Sequence, residues 1–504
     1  MQLHPDDNVA VSLAGDGLNA KFKGVSGPMV TAIETIPAGH KMAIGPIQSQ
    51  QAIIKYGMPI GKASCEIAPG SHVHSHNLKT ALEGSDYPPW QIPLVGQSDL
   101  KVGTGSQERV FSGYRRCNGQ AAIRNEIWII NTVACVNQTA TQLAAWANRT
   151  LVGKLPNLDG VHSFSHPYGC SQLGDDLSST QAILAALAKH PHAAGVLLLG
   201  LGCENNQMAQ QLEAIGPEAG QKVRFFSTQA VKDEMEQGRQ YISELAGRLA
   251  QQKRQTLPVR DLILAMKCGG SDGFSGISAN PLLGRIADRH CAAGGTVLLT
   301  EVPEMFGAES VLLRRCDSQA TYDAAVEMID RFKDYFRSHG QPISENPSPG
   351  NKDGGITTLE EKSLGCVQKG GAVAMIKQVV GYGDQAKSGL GGIALVNGPG
   401  NDGVSTTALT AAGANIVLFT TGRGTPLGAP APTMKVATNS TLAVNKPGWI
   451  DFSAGPLVDG TASMEQLADQ LYDQILETAN GNLETKSEMN GYREIAIWKT
   501  GVTL

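Results

Sequence analysis

The sequence predicts an α/β protein: a small β-rich region at the amino terminus, then two α/β regions with mostly parallel sheets. Three observations carry that prediction. Residues 1–85 hold short alternating apolar runs, "NVAVSL", "MVTAI", "HKMAIG" and "QAIIKYG", broken by glycine and proline, as short half-buried strands require. From about residue 111, short continuously apolar runs alternate with polar loops and amphipathic stretches, the pattern of parallel strands covered by helices on both faces. The chain has 504 residues, too many for one ordinary core, which implies two to four domains.

The elements follow in order. Residues 1–85 form the β-rich region, and the proline- and glycine-bearing stretch "GSDYPPWQIPLVGQSDLKVGTGSQERV" supplies a linker over 86–110. In the first α/β region, 111–257, "EIWIINTVAC" leads into "NQTATQLAAWANR", "GVHSFSHPYGCSQ" into "LSSTQAILAALAKH", and "AGVLLLGLGCENN" into "QMAQQLEAI". The second, 258–504, repeats the rhythm with "DLILAMKCGG", "GTVLLTEVPE", "GGIALVNGPG" and "NIVLFTTGRG".

Composition excludes several function classes. A net charge of −5 offers no basic footprint for nucleic acid or an anionic membrane. There is no run of eighteen apolar residues and no signal-peptide pattern in "MQLHPDDNVAVSL", so a cytoplasmic protein is expected. Nine cysteines, an odd and sparse count, argue against a disulfide framework. Cys65, Cys117, Cys291 and Cys316 read as packing residues. A homo-oligomer is expected.

In open α/β sheets, ligands bind outside the carboxyl ends of the strands. Cys135, His166, Cys170, Cys203, Glu204, Cys268, Ser271, Asp272, Glu301, Glu304, Thr421 and Arg423 all directly follow predicted strands. As a group they exceed what turn and capping preferences call for, because cysteine and histidine are not preferred caps. "GSHVHSHN" sets His72, His74 and His76 on one face if the segment is a strand, either for a metal or proton transfer, or as a polar edge. "TTGRGTPLGAP" offers glycine and threonine amides beside Arg423, suited to clamping an anion or simply to turning tightly. "NPSPGNKDGG" (346–355) packs two prolines, three glycines, two asparagines and a lysine into ten positions, which predicts a loop.

Long segments carry a family resemblance: "DNVAV", "IKYGMPIG", "HVHSHN", "SHPYGCSQLGDD", "GLGCENNQ", "CGGSDGFSGISANPLLG", "TEVPEMFGAE", "NPSPGNKDGGITTLEEKSLG", "TTGRGTP" and the closing "GVTL". Through them the chain resembles the altronate and galactarate dehydratases, sugar-acid hydro-lyases, essentially from end to end. The resemblance implies an amino-terminal SAF domain, a larger catalytic region, and elimination of water assisted by Fe²⁺ or Mn²⁺. The histidine triplet, the "NNQ" after "GLGCE", and "TEVPEMFGAE" match the altronate side. The implied reaction is therefore D-altronate to 2-dehydro-3-deoxy-D-gluconate. Galactarate, a sulfo-lyase reaction on a sulfonated hydroxy acid, and a non-catalytic sugar-acid sensor are the alternatives.

Under that resemblance His74, His166 and Lys352 are the candidate catalytic residues, Lys352 serving either as base or as counter-charge to the carboxylate. Asn346, Asn351, Ser271, Asp272, Arg423 and Thr421 are candidates for holding the sugar acid. A single labile ion on His72, His74, Glu301 and Glu304 is the first metal assignment. An iron site on Cys170, Cys203 and Cys268, even an iron–sulfur cluster, is the alternative.

Overall fold

The computed structural model describes residues 1–14, 21–23, 29–82, 87–93 and 109–501. Most of the linker expected at 86–110, and the last three residues of "GVTL", lie outside the described residues.

The amino-terminal region is built from small antiparallel sheets. Val9–Val11, Lys41–Ala43 and His72–Val73 form one, and Ala52–Lys55, Met58–Ala63 and Leu78–Lys79 another. Ile47, Ile53, Ile60, Ile67 and Val73 join a core that continues without a break into the carboxyl-terminal region. The strand His72–Val73 is only two residues long, so the predicted alternation does not bring the histidines together. A turn does: Asn77 Oδ1 accepts from the His74 amide at 2.9 Å, and its Nδ2 donates to the His72 carbonyl at 2.9 Å.

Two parallel sheets follow. In the first, Glu126–Asn131 lies between Gly160–Phe164 and Ala193–Gly200, with Val223–Ser227 on the outside. The second has seven strands, in the order Ile376–Val380, Gly392–Val396, Thr296–Leu299, Ile263–Cys268, Ile416–Thr421, Thr433–Ala437 and Phe452–Ser453. Ile263–Cys268 comes first in the chain yet stands in the middle. The chain lays three strands on one side, the edge strand Ile376–Val380 before its inner neighbour Gly392–Val396, and then crosses to the other side, which puts the topological switch at the carboxyl end of this strand. No helix among the described residues is long and apolar enough to cross a membrane.

The amino-terminal region is fastened to the second sheet through one short helix, Leu359–Cys366. All eight of its residues are buried. Thr358 caps it, accepting from the Glu361 amide, while its hydroxyl donates to the Ile60 carbonyl at 2.5 Å. Glu361 receives Lys41 Nζ and Lys55 Nζ, each at 2.8 Å. Burial alone would raise the Glu361 carboxyl, but the two lysines hold it down at about 2. Glu360 accepts from the Thr80 hydroxyl at 2.9 Å and the Ala81 amide at 2.7 Å.

Removing the shared carboxylate strands two buried ammonium groups, and losing one partner of a buried pair costs about 3–5 kcal/mol. Glu361→Gln is therefore expected to lower the thermal midpoint and expose the amino-terminal region to protease. Because the folded-state value lies below the ordinary 4.5, the contribution is full above that pH and fades as pH falls towards about 2. Thermal melts against pH should show an acid limb in the parent protein that flattens in Glu361→Gln.

Candidate functional site

The carboxyl edge of the seven-stranded sheet collects charge at the switch point. Lys267, the penultimate residue of the central strand, is fully buried and pairs with Glu301 and, at 2.8 Å, with Asp402. Glu301 adopts a left-handed conformation, φ 70°, just past Thr296–Leu299. Such a conformation costs about 1–3 kcal/mol in a residue with a side chain. It presents the carboxylate to Lys267 on one side and to Lys369 Nζ, at 2.6 Å, on the other.

One turn on, Glu304 meets Lys362 Nζ at 2.8 Å and accepts from the Cys366 thiol at 2.7 Å. Cys268 Sγ lies 2.7 Å from Ser271 Oγ, and Lys369 Nζ lies 3.7 Å from Cys366 Sγ. Within this cluster the two carboxyls are driven apart. Burial pushes Glu301 up to about 7 despite its two lysines. Burial would raise Glu304 as well, but Lys362, Lys267 and Lys369 bring it down to about 2. Hydrogen bonding with Cys366 holds the Cys268 thiol well below its ordinary value and raises Cys366 well above its own.

Among the described residues, Cys268, Glu304 and Cys366 are the one set of three acidic, histidine or cysteine side chains whose ligand atoms all lie within 4.8 Å. Two thiols with one carboxylate form a soft-leaning donor set, which suits iron(II) better than manganese(II). A small neighbouring cavity of about 10 Å³, room for roughly one water, is lined by Lys55 and Tyr56 from the amino-terminal region and by Ser271, Asp272, Asn280, Lys362 and Cys366 from the sheet side.

The loop 346–355 covers the cluster, and part of it is helical: Pro349–Asp353 makes one turn, with proline in the first position that tolerates it. Lys362 Nζ donates to Asn346 Oδ1 at 2.9 Å and to Asn351 Oδ1 at 3.3 Å, and Asn351 Nδ2 donates to the Ser271 carbonyl at 2.8 Å. Both predicted asparagines thus meet the cluster through Lys362, which sequence reasoning passed over. Lys352 is only half-buried, and its carbonyl bonds His74 Nε2 at 2.9 Å.

The histidines sit over the same loop. His40, also unforeseen, stacks against His74 with ring centroids 5.0 Å apart, and its Nδ1 lies 3.0 Å from His72 Nε2. Its Nε2 bonds the Asp353 carbonyl at 3.2 Å. Desolvation keeps His40 and His74 below their ordinary value and His72 at about 4, so all three are neutral bases near neutral pH. His76 is exposed, its ring 5.6 Å from His72.

Other predicted residues have structural duties. Asp272 is encircled: Oδ1 accepts from the Phe274 amide and the Ser275 hydroxyl, and Oδ2 from the Thr438 hydroxyl and Asn439 Nδ2. Thr421 Oγ1 accepts from the Gly424 amide at 2.8 Å, and Arg423 Nη1 donates to the Gly350 carbonyl at 3.1 Å, so this turn anchors the covering loop. His166 is buried in the other sheet, with Nε2 on the Asn131 carbonyl at 2.9 Å and Nδ1 accepting from the Tyr168 amide at 3.2 Å. Main-chain groups occupy both of its ring nitrogens, which leaves it to hold a loop.

Neither metal set read from sequence is gathered in one place. His72 and His74 belong to the histidine stack, while both oxygens of Glu301 are taken by lysines. Cys268 is buried in the large sheet, whereas Cys170 and Cys203 are exposed at the edge of the small one. Cys366 completes the compact set instead. A sequence signal for it existed: "LEEKSLGC" is a helix with no polar face, and its charges therefore had to be paired inside.

Comparisons with known proteins agree with this layout. Residues 1–81 match the altronate/galactarate dehydratase SAF domain, residues 113–250 the D-galactarate dehydratase/altronate hydrolase second domain, and residues 259–503 the D-galactarate/altronate dehydratase C-terminal region. An altronate dehydratase of Escherichia coli (strain K12) is 47% identical over 506 residues, covering 100% of this chain and 99% of the relative. An altronate dehydratase of Bacillus subtilis (strain 168) is 45% identical, again over 100% of this chain and 99% of its own length. The galactarate dehydratase (L-threo-forming) of Escherichia coli (strain K12) is 32% identical over 99% of this chain and 96% of its own. With all three regions matched and relatives this similar along the whole chain, the protein belongs to the altronate/galactarate dehydratase family.

Proposed function

We propose that this chain is a hydro-lyase that removes water from D-altronate to give 2-dehydro-3-deoxy-D-gluconate. The observation that carries the reading is end-to-end likeness, at 47% and 45% identity, to two altronate dehydratases, against 32% for a galactarate dehydratase. The chemistry asks for removal of a weakly acidic proton from carbon 2, beside the carboxylate, and departure of hydroxide from carbon 3. It needs a cation for the carboxylate, a base, and an acid.

The switch-point cluster supports each part. Lys362 stays charged, because Glu304 outweighs the burial that would neutralise it, and so it suits the carboxylate; Asn346 and Asn351 beside it suit the hydroxyls. Two carboxyls whose environments push them apart mark acid–base assignments. Burial favours the protonated form of Glu301 while its two lysines oppose it, so of the two it is the candidate for exchanging a proton, and Glu304, held down by Lys362, Lys267 and Lys369, remains an anion. His40, His72 and His74, neutral over the covering loop, are a second reservoir of bases. Cys268, Glu304 and Cys366 would hold Fe²⁺, which when bound polarises the carboxylate and hydroxyl and so acidifies carbon 2. Lys352, at the rim, serves as an entry cation in this reading.

A substrate panel tests the reaction. Anaerobic protein loaded with Fe²⁺ should form 2-keto-3-deoxy acid from altronate faster than from galactarate, with no sulfite from sulfolactate. Faster turnover of galactarate, or sulfite release, would reassign it.

Kinetics of two lysine variants test the roles. Lys362→Met should reduce kcat/KM by about 10²-fold or more in protein of normal circular dichroism. Lys352→Met should raise KM and leave most of kcat. The reverse pattern would return the principal role to Lys352.

A further inference from the structure

The second region carries a different cluster. Five cysteines are exposed, and three of them, Cys135, Cys170 and Cys203, follow three adjacent strands of the four-stranded sheet. The strands are Glu126–Asn131, Gly160–Phe164 and Ala193–Gly200, parallel and paired, so all three thiols sit at one carboxyl edge. Cysteine is among the most buried residue types, and a set of exposed thiols on one edge calls for an explanation.

The loops bearing them are interlocked. The Ala134 amide donates to the Tyr168 carbonyl at 2.9 Å, the Asn206 amide to the Gly169 carbonyl at 3.0 Å, and the Ser171 amide to Asn205 Oδ1 at 2.7 Å. Gly169, φ 100°, permits this approach, since a Cβ there would lie 2.0 Å from the Thr132 carbonyl oxygen. Glu204 shapes the third loop, accepting from the Thr132 hydroxyl and the Leu201 and Gly202 amides. A helix starts just beyond each loop, at Asn137, Gly174 and Met208, and helix amino ends favour thiolates and anionic groups. Buried polar atoms without a partner lie in the same segments: Asn131 Oδ1, Gln172 Nε2 and Asn206 Oδ1.

Spacing decides what such a site takes. One zinc ion at about 2.3 Å from each sulfur would draw three sulfurs to within about 4.6 Å of one another. Among the described residues the set that close is Cys268, Glu304 and Cys366, so these three sulfurs stand wider. A cluster places each thiolate on a separate iron and so accepts ligands set further apart than one ion does.

We propose that Cys135, Cys170 and Cys203 ligate an iron–sulfur cluster of the cubane type. Binding exchanges three thiol protons for three iron–sulfur bonds, and the fourth iron, without a cysteine, faces water or a small oxygen anion. The proposal does not depend on the reaction assigned above, because its test reads iron, sulfide and alkylation.

Full-length protein reconstituted anaerobically with ferric iron, sulfide and dithiothreitol should hold about four irons and four labile sulfides, with broad visible absorbance. Cys135→Ser, Cys170→Ser and Cys203→Ser should each lose most of the sulfide, while Cys65→Ser and Cys117→Ser keep it. In the reconstituted parent protein, mass spectrometry after iodoacetamide treatment should find Cys135, Cys170 and Cys203 protected, a readout independent of how the variants fold. Absence of labile sulfide, equal sulfide in the three variants, or alkylation of all three thiols in the reconstituted parent would overturn the proposal.

Discussion

The helix Leu359–Cys366 is the constraint on which the rest of the site depends. It is buried on every side while carrying Glu360, Glu361 and Lys362 in succession. Burying three consecutive ionisable groups is tolerable only if each has a partner in place, and the partners come both from the amino-terminal region and from the large sheet's side. Thr80 and Ala81 answer Glu360, Lys41 and Lys55 answer Glu361, and Glu304 answers Lys362. The helix can therefore be buried only when the amino-terminal region and the large sheet meet around it.

The same arrangement concentrates reactivity. Glu361 and Lys362 are neighbours in sequence but face opposite tasks, one docking a domain and the other reaching into the switch-point cluster. At the far end of the helix, Cys366 stands beside Glu304. Low-dielectric surroundings enlarge every charge interaction there, and the result is a pair of carboxyls with opposite displacements and a pair of thiols likewise. The covering loop contributes asparagines rather than its lysine, because Pro349–Asp353 turns Asn351 inward and leaves Lys352 at the rim.

The architecture was legible because it rests on local periodicity: strands such as Ile263–Cys268 and Ile416–Thr421 open with four apolar residues in a row, and strand ends were marked by cysteine, serine and glutamate. What escaped notice depends on contacts between distant positions. Lys362 meets Glu304 across 58 positions of sequence, the difference between the two residue numbers, and His40 joins His72 from the residue just before Lys41–Ala43. Nothing local in "AGHKMAIG" marks that histidine. The histidine triplet was seen, but its convergence was credited to strand alternation when an asparagine-bonded turn produces it. Cys170 and Cys203 were grouped with Cys268 because all three end strands; assignment to two separate sheets divides them, and Cys135 follows a strand of the same sheet as Cys170 and Cys203.

We propose that the reaction centre lies at the switch point of the seven-stranded sheet, under the amino-terminal region. Anomalous diffraction from crystals soaked anaerobically with Fe²⁺ tests it directly. A reaction centre at the switch point should give an iron peak within bonding distance of Cys268 Sγ, Cys366 Sγ and the Glu304 carboxylate. A peak among His40, His72 and His74, with none at that set, would contradict it.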